Sequence, residues 1–274
     1  MGRYCVNTHD EDFFNRDTPE SFYWAGFIAA DGCVCEKKNS TNITLSINLA
    51  TKDENHLQKL KNAIKYTGKI YRTQEVGSWK FKKLKKPMYF QSKLIITITN
   101  SLTINGLNRF NIFPRKSLVY EFPEWLKNHL LVNHFIRGYF DGDGSVMIEK
   151  AKLLVRVTPK LRVCFLGTKD FLKACHEIFI KNCQVIEKKK IPARKDCKIH
   201  VLQYVGNRVS MRIANFLYKD STEKIFLNRK HDIFYDGFFD TLPDIIIKNL
   251  IPLIATNTTP GDVIKFASSR SKRK

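Results

Sequence analysis

Polar and apolar positions alternate at Ile43, Leu45, Ile47 and Leu49, which predicts a half-buried strand. The alternation returns at Leu94, Ile96 and Ile98, at Leu161, Val163 and Phe165, and more briefly at Ile199 and Val201. Tyr71 and Val76 mark a weaker strand. Helical spacing takes over between these runs. Leu57, Leu60 and Ile64 predict a helix over 52–66, and Phe171, Leu172, Ile178 and Phe179 predict one over 169–182. Further helices are expected over 21–32, 101–110 and 207–219. Pro114 and Pro123 punctuate a connector over roughly 114–131.

The pattern occurs twice. WAGFIAADGCV (24–34) and IRGYFDGDGSV (136–146) are each an apolar helix, then Asp-Gly, then a residue and a valine that open a strand. Their aspartates, Asp31 and Asp143, stand 112 residues apart. LATKD (49–53) returns as LGTKD (166–170), and Arg115-Lys116 returns as Arg229-Lys230. Three matches in one order at nearly one offset predict two related units of about 110 residues, each helix–strand–strand–helix–strand–strand–helix. The expected class is α+β, with antiparallel sheets apolar on one face and polar on the other. The divisions are an N-terminal arm (1–20), a first unit (21–113), the connector (114–131), a second unit (132–240) and a C-terminal extension with a basic tail (241–274). One detail conflicts with a gapless repeat: aligning the two TKD segments sets polar Asn48 against apolar Phe165, which calls for a bulge or a one-residue shift.

Charge narrows the function. Lys and Arg total 47 against 26 Asp and Glu, a net charge of +21, which calls for a polyanionic partner. No apolar run approaches the roughly 20 residues of a membrane span, and MGRYCVNTHDEDFF has no apolar stretch of the signal-peptide kind. Seven cysteines with no Cys-x-x-Cys pair speak against a disulfide framework or a structural zinc site. The expected location is therefore intracellular.

The repeated motif carries the candidate chemistry. Gly26 and Ala30, like Gly138 and Gly142, share a helix face at a spacing of four. Small residues there let two helices meet backbone to backbone, and Asp31 and Asp143 would then converge at their C-terminal ends. Carboxylates at the negative end of two helix dipoles, and beside each other, are poorly stabilised. A hard divalent cation relieves both penalties, so Mg²⁺, with Mn²⁺ as a substitute, is the expected metal, bound by Asp31 and Asp143. An EF-hand reading of DGDGS fails because Val146 and Lys152 fall where that loop has Gly and Glu.

WAGFIAADG and IRGYFDGDG resemble the two motifs of LAGLIDADG homing endonucleases in their single-chain form. The resemblance covers roughly 12–235 and extends to the Gly-Thr-Lys-Asp turn and to LYKDSTEKIFLNRKH, which is similar to bacterial and phage members. It implies two pseudo-symmetric αββαββα units whose sheets form a saddle over double-stranded DNA. It also implies metal-dependent double-strand cleavage of a long asymmetric target by Asp31 and Asp143, and a gene associated with an intron. Lys116 and Lys230 fit the basic position near the scissile phosphate. A solvated surface charge is the alternative for each, and Lys224 competes in the second unit. The sixth motif position is Ala29 in one copy and Asp141 in the other, a supporting place, and Arg137 replaces a usually small residue. Thr51 and Thr168 stand where a water-ordering threonine occurs in the family, with helix capping as the other role.

On the sheets, Thr44, Ser46, Asn48, Arg72, Arg162 and Gln203 are expected to reach base edges. Lys80, Lys82 and Lys83, in the run KFKKLKK, and Lys188, Lys190 and Lys198 are expected to hold phosphates. The resemblance implies a monomer with no obligate protein partner, in the cytoplasm or nucleoid of a bacterium or phage-infected cell, or in an organelle. Two other functions suit the same fold, an RNA-binding intron maturase and a DNA-binding regulator without catalysis. Both aspartates are intact, which favours cutting. An intein is not expected, since no splicing nucleophile or His-Asn ending is present at the termini.

Overall fold

The computed structural model describes residues 7–36, 43–75, 89–98, 101–152, 157–187, 190–194, 198–238 and 250. Lys80, Lys82, Lys83, Lys188 and nearly all of the C-terminal extension lie outside these residues. No helix among the described residues is long and apolar enough to cross a membrane.

The chain opens with α1 (Pro19–Asp31). Thr18 caps it by accepting a hydrogen bond from the Ser21 amide, and Pro19 fills the first turn, where no amide is needed. Then follow β1 (Gly32–Glu36), β2 (Ile43–Ala50), α2 (Glu54–Ala63), β3 (Ile70–Glu75), β4 (Tyr89–Ile98) and α3 (Ser101–Asn108). The second unit has α4 (Val132–Asp143), β5 (Gly144–Lys152), β6 (Val157–Gly167), α5 (Lys169–Cys183), β7 (His200–Val205), α6 (Asn207–Tyr218) and α7 (Asn228–Asp232), which runs into one π turn, Ile233–Gly237. The expected α+β class with two antiparallel sheets is what the chain adopts.

The first sheet has the order β1-β2-β4-β3, and the second β5-β6-β7. The fourth strand expected in the second unit is reduced, among the described residues, to a single bridge between Ala193 and His200. Pro192 lies beside that bridge and has no amide to donate to a ladder.

Register resolves the misfit between the repeats. Gly32 pairs with Ile47 in one unit, and Gly144 with Phe165 in the other, so Ile47 and Phe165 are the true equivalents. Both are fully buried, while Asn48 is exposed. The first unit therefore carries one more residue between this point and its threonine. It uses a 3₁₀ turn, Thr51–Asp53, before α2 begins at Glu54, later than the spacing predicted. Thr168 caps α5 through the Phe171 amide, but the Thr51 hydroxyl is buried and caps nothing.

The two motif helices form the centre. Residues 21–29 of α1 and 132–141 of α4 are all buried, a helix-wide burial that only a core position between two sheets provides. Their contact is backbone to backbone. A methyl group at Gly26 would stand 2.0 Å from the Phe135 carbonyl oxygen, and one at Gly138 would stand 1.9 Å from that of Tyr23. The aromatic core packs around this crossing, with Phe110 stacked on Phe135 and Tyr139 tilted against Phe171. The connector belongs to the core as well, burying Tyr120, Phe122 and Leu126.

Gly26→Ala and Gly138→Ala each place a carbon inside a backbone oxygen that cannot retreat without opening the interface. Each is expected to cost about 2–3 kcal/mol or more, read as a lowered melting temperature. A wild-type melting temperature for both would contradict the crossing.

Candidate active site

Asp31 and Asp143 are the last residues of α1 and α4, and an extended glycine turns the chain into a strand after each. The crossing brings them together. A methyl at Gly142 would lie 2.5 Å from the Ala30 Cβ and 3.4 Å from the carboxyl carbon of Asp31. Small residues at these two positions thus let the carboxylates share one site. Burial pushes the Asp31 carboxyl up to about 6, and the charge of Asp143 adds to the rise. Burial raises Asp143 as well, opposed by Lys116 and then Lys230.

Neither lysine is a solvated surface charge. Lys116 is 3% exposed and Lys230 4%. The Lys116 Nζ donates to the carbonyls of Ala29 (2.8 Å) and Gly32 (2.9 Å). The Lys230 Nζ donates to Phe140 and Asp141 (2.7 Å each), to Gly144 (2.6 Å) and to Gly142 (3.3 Å). Ala29 and Asp141 are motif equivalents, as are Gly32 and Gly144, so the two lysines make one contact twice. A helix leaves its last four carbonyls without partners and presents negative potential there. Each ammonium satisfies carbonyls that would otherwise be buried bare, and offsets the potential under the aspartate. Burial pulls both lysines down to about 8, against the pull of Asp143 on Lys116 and of Asp141 on Lys230. Between the two lysines, Lys230 acts more strongly on Asp31, and Lys116 on Asp143. Lys224 is exposed and makes no such contact.

The sixth motif position breaks the symmetry. Ala29 is a small core residue, whereas Asp141 is buried and its Oδ2 accepts hydrogen bonds from the Tyr23 hydroxyl (2.7 Å) and the Leu227 amide (2.8 Å). Tyr23 in turn meets His56 Nε2 at 2.9 Å. Burial holds His56 down to about 3, so its ring is neutral. Arg137, which departs from the small residue of the resemblance, is fully buried. It donates to the carbonyls of Ile225 and Leu217, and its guanidinium lies 5.3 Å from the Tyr23 ring centre. Nothing in the spacing of the sequence announces these contacts, because their partners lie more than 30 residues away.

The polar sheet faces carry most of the remaining candidates. Register sets Thr44 opposite Thr97, Ser46 opposite Ile95 and Asn48 opposite Lys93 on one face. Arg72 sits on the opposite face from these residues. It pairs with Ser92, whose parity is that of buried Leu94 and Ile96, so it lies on the helix side of the sheet. There it forms a two-pronged ion pair with Glu54 (2.7 Å each), and this pairing, with a hydrogen bond from Ser92, holds the Glu54 carboxyl down to about 2. Tyr71 and Lys93 take the polar face in its place. The alternation starting at Ile70 was the available signal. In the second sheet Arg162 and Gln203 are on the polar face, with Arg162 engaged by Glu149 at 2.7 and 2.8 Å. Lys190 and Lys198 are exposed.

The donor set suits a hard cation. Two converging carboxylates supply oxygen ligands, and no group of three or more His, Cys, Asp or Glu able to hold a metal occurs among the described residues. A site that gives two carboxylates and leaves the other positions to water and phosphate fits magnesium or manganese better than zinc.

Residues 19–116 match the model of the LAGLIDADG-like domain. No curated protein sequence matches the chain. Among solved structures, the fold is similar to the LAGLIDADG meganuclease I-AabMI bound to uncleaved DNA, at 14% identity and a TM-score of 0.52, over 92% of this chain and 97% of that one. It is similar to the meganuclease I-SmaMI bound to uncleaveable DNA, at 14% identity and a TM-score of 0.52, over 90% and 96%. The I-LtrWI LAGLIDADG homing endonuclease bound to target DNA matches at 12% identity and a TM-score of 0.50, over 91% and 99%. At these identities the likeness is one of fold. Residues 19–116 match the LAGLIDADG-like domain, the second unit repeats its motif and its central helix, and the fold of the chain as a whole is similar to that of these structures.

Proposed function

We propose that the protein is a site-specific DNA endonuclease that cuts both strands of an asymmetric target in a Mg²⁺-dependent reaction. The observation that carries this reading is the pair of aspartates at the meeting ends of α1 and α4, each above a buried lysine. A net charge of +21 and two sheets with polar outer faces supply the polyanion-binding surface. A divalent ion held by Asp31 and Asp143, when bound, supplies positive charge at the scissile phosphates and lowers the pKa of attacking water. The chain's own residues fix where that happens. The glycine crossing sets the spacing of the carboxylates, and their burial makes them bind a cation in preference to remaining as bare paired charges. Lys116 and Lys230 keep the helix ends rigid and positive beneath them. The polar faces differ in composition, Thr44, Ser46 and Asn48 against Arg162, Cys164 and Gln203, so the two half-sites they read differ too.

Asp31→Asn and Asp143→Asn are each expected to abolish double-strand cleavage while leaving DNA binding within a few-fold of wild type. Full cleavage by either variant would remove the assignment. The charge balance at the site also predicts a stability effect. The folded Asp31 carboxyl titrates near 6 against 3.8 as its ordinary value, so it contributes stability fully below about pH 4 and loses it as pH rises through 6. In chelator at pH 8, Asp31→Asn is therefore expected to be more stable than wild type by about 1–2 kcal/mol, with the gap closing towards pH 4. Urea denaturation at the two pH values measures this, and a variant less stable than wild type at pH 8 contradicts it.

A further inference from the structure

Lys230 belongs to the second unit, but much of what holds it comes from the first. The five residues before it are each gripped by a side chain from elsewhere in the fold. Arg137 holds the Ile225 carbonyl and Asp141 the Leu227 amide, both from α4. The other three grips come from the turn before α2 and from α2 itself. The Lys59 Nζ donates to the Phe226 carbonyl (3.1 Å) and to Asn228 Oδ1 (2.7 Å), and lies 5.4 Å from the Phe226 ring centre. Asp53, 10% exposed at its side chain, accepts from the Arg229 Nε at 3.0 Å on both carboxylate oxygens.

Among the described residues the first unit has no such arrangement. Arg115 is the repeat of Arg229 and Asp170 that of Asp53, yet among the described residues no ion pair joins them, and both are exposed. Arg115 instead takes a left-handed conformation (φ 62°) that turns the chain directly into Lys116. The extra residue before Thr51 moves Asp53 relative to its repeat, into the 3₁₀ turn that faces the second unit. Two lysines that cap equivalent helix ends are thus held in different ways.

We propose that Asp53 and Lys59 of the first unit are positioning residues for Lys230, clamping the segment Phe226–Arg229 so that the ammonium stays seated under the Asp31–Asp143 site. Asp53 lies one residue before α2, and Lys59 follows it by six, so one rigid element sets the position of both grips. Arg229 adjoins Lys230, and the Lys230 amide donates to the Leu227 carbonyl, so any shift of the clamped segment moves the lysine. The consequence is one-sided. Loosening the clamp frees Lys230 and leaves Lys116 in place. The inference rests on the nuclease reading only for its effect on cutting, since the seating of Lys230 is a property of the fold itself.

The test has two readouts. The first is competitive amine labelling with acetic anhydride, quantified by mass spectrometry at Lys230, with Lys116 as internal reference. Asp53→Asn and Arg229→Gln, both close in shape to the originals, are expected to raise Lys230 labelling several-fold over Lys116, with equal effects that do not add in the double variant. Arg229→Lys is expected to restore part of the protection. Equal labelling of the two lysines in wild type and variants overturns the clamp, as does a parallel rise at both, which signals general loosening. The second readout is strand-resolved cleavage of the target. The same variants are expected to slow the cutting of one strand about tenfold relative to the other, so that nicked DNA accumulates, while the melting temperature changes little. Equal slowing of both strands also overturns the proposal. Wild-type protein that cuts neither strand would instead remove the nuclease reading, and the labelling result would still decide the clamp.

Discussion

Everything in this molecule hangs on the crossing of two helices at glycine. Gly26 against the Phe135 carbonyl and Gly138 against that of Tyr23 let the backbones of α1 and α4 touch. That single contact is the interface between units, the centre of the aromatic core and the device that brings Asp31 and Asp143 together. Interiors are close-packed and do not deform smoothly, so the spacing of the carboxylates is fixed by the packing, independent of any loop. A site built this way is rigid before any ligand arrives.

The same crossing creates an electrostatic difficulty. Two helix C-termini meet, each with bare carbonyls and a carboxylate. The fold answers with Lys116 and Lys230, which are buried against those carbonyls. A buried ammonium is itself costly, and its pKa falls to about 8, but here each makes two to four hydrogen bonds and faces two carboxylates. The balance of two anions and two cations is close to neutral at pH 7, yet Asp31 and Asp143 remain raised. The site is tuned to gain from one further positive charge. Beyond it the two units differ. Ala29 leaves the first helix end apolar, whereas Asp141 ties the second to Leu227, and Asp53 and Lys59 reach across to the residues that precede Lys230.

Much of this was legible in the sequence. The duplicated motif gave the paired helices, and the alternation at Ile43–Leu49 and Leu161–Phe165 gave the central strands and their apolar faces. The repeated Arg-Lys pointed to Lys116 and Lys230, although spacing alone could not tell a buried cap from a surface charge. Other features were hidden for identifiable reasons. The face that Arg72 takes was hidden because a strand flips a side chain to the opposite face with each residue, and the parity of β3 is set by its pairing with β4. Capping at Thr51 failed because one extra residue turns the start of α2 into a 3₁₀ turn. Arg137 reads as an ill-fitting residue in the motif until the Ile225 and Leu217 carbonyls are seen around it. Contacts of this kind join residues far apart in the chain, where local pattern carries no information.

The proposed cleavage depends on the two carboxylates forming one cation site. Titration of Mn²⁺ in the presence of DNA, followed by electron paramagnetic resonance, tests it directly. The wild type is expected to bind Mn²⁺, and the Asp31→Asn/Asp143→Asn double variant to lose that binding while still associating with DNA. Equal Mn²⁺ binding by both proteins would contradict the claim.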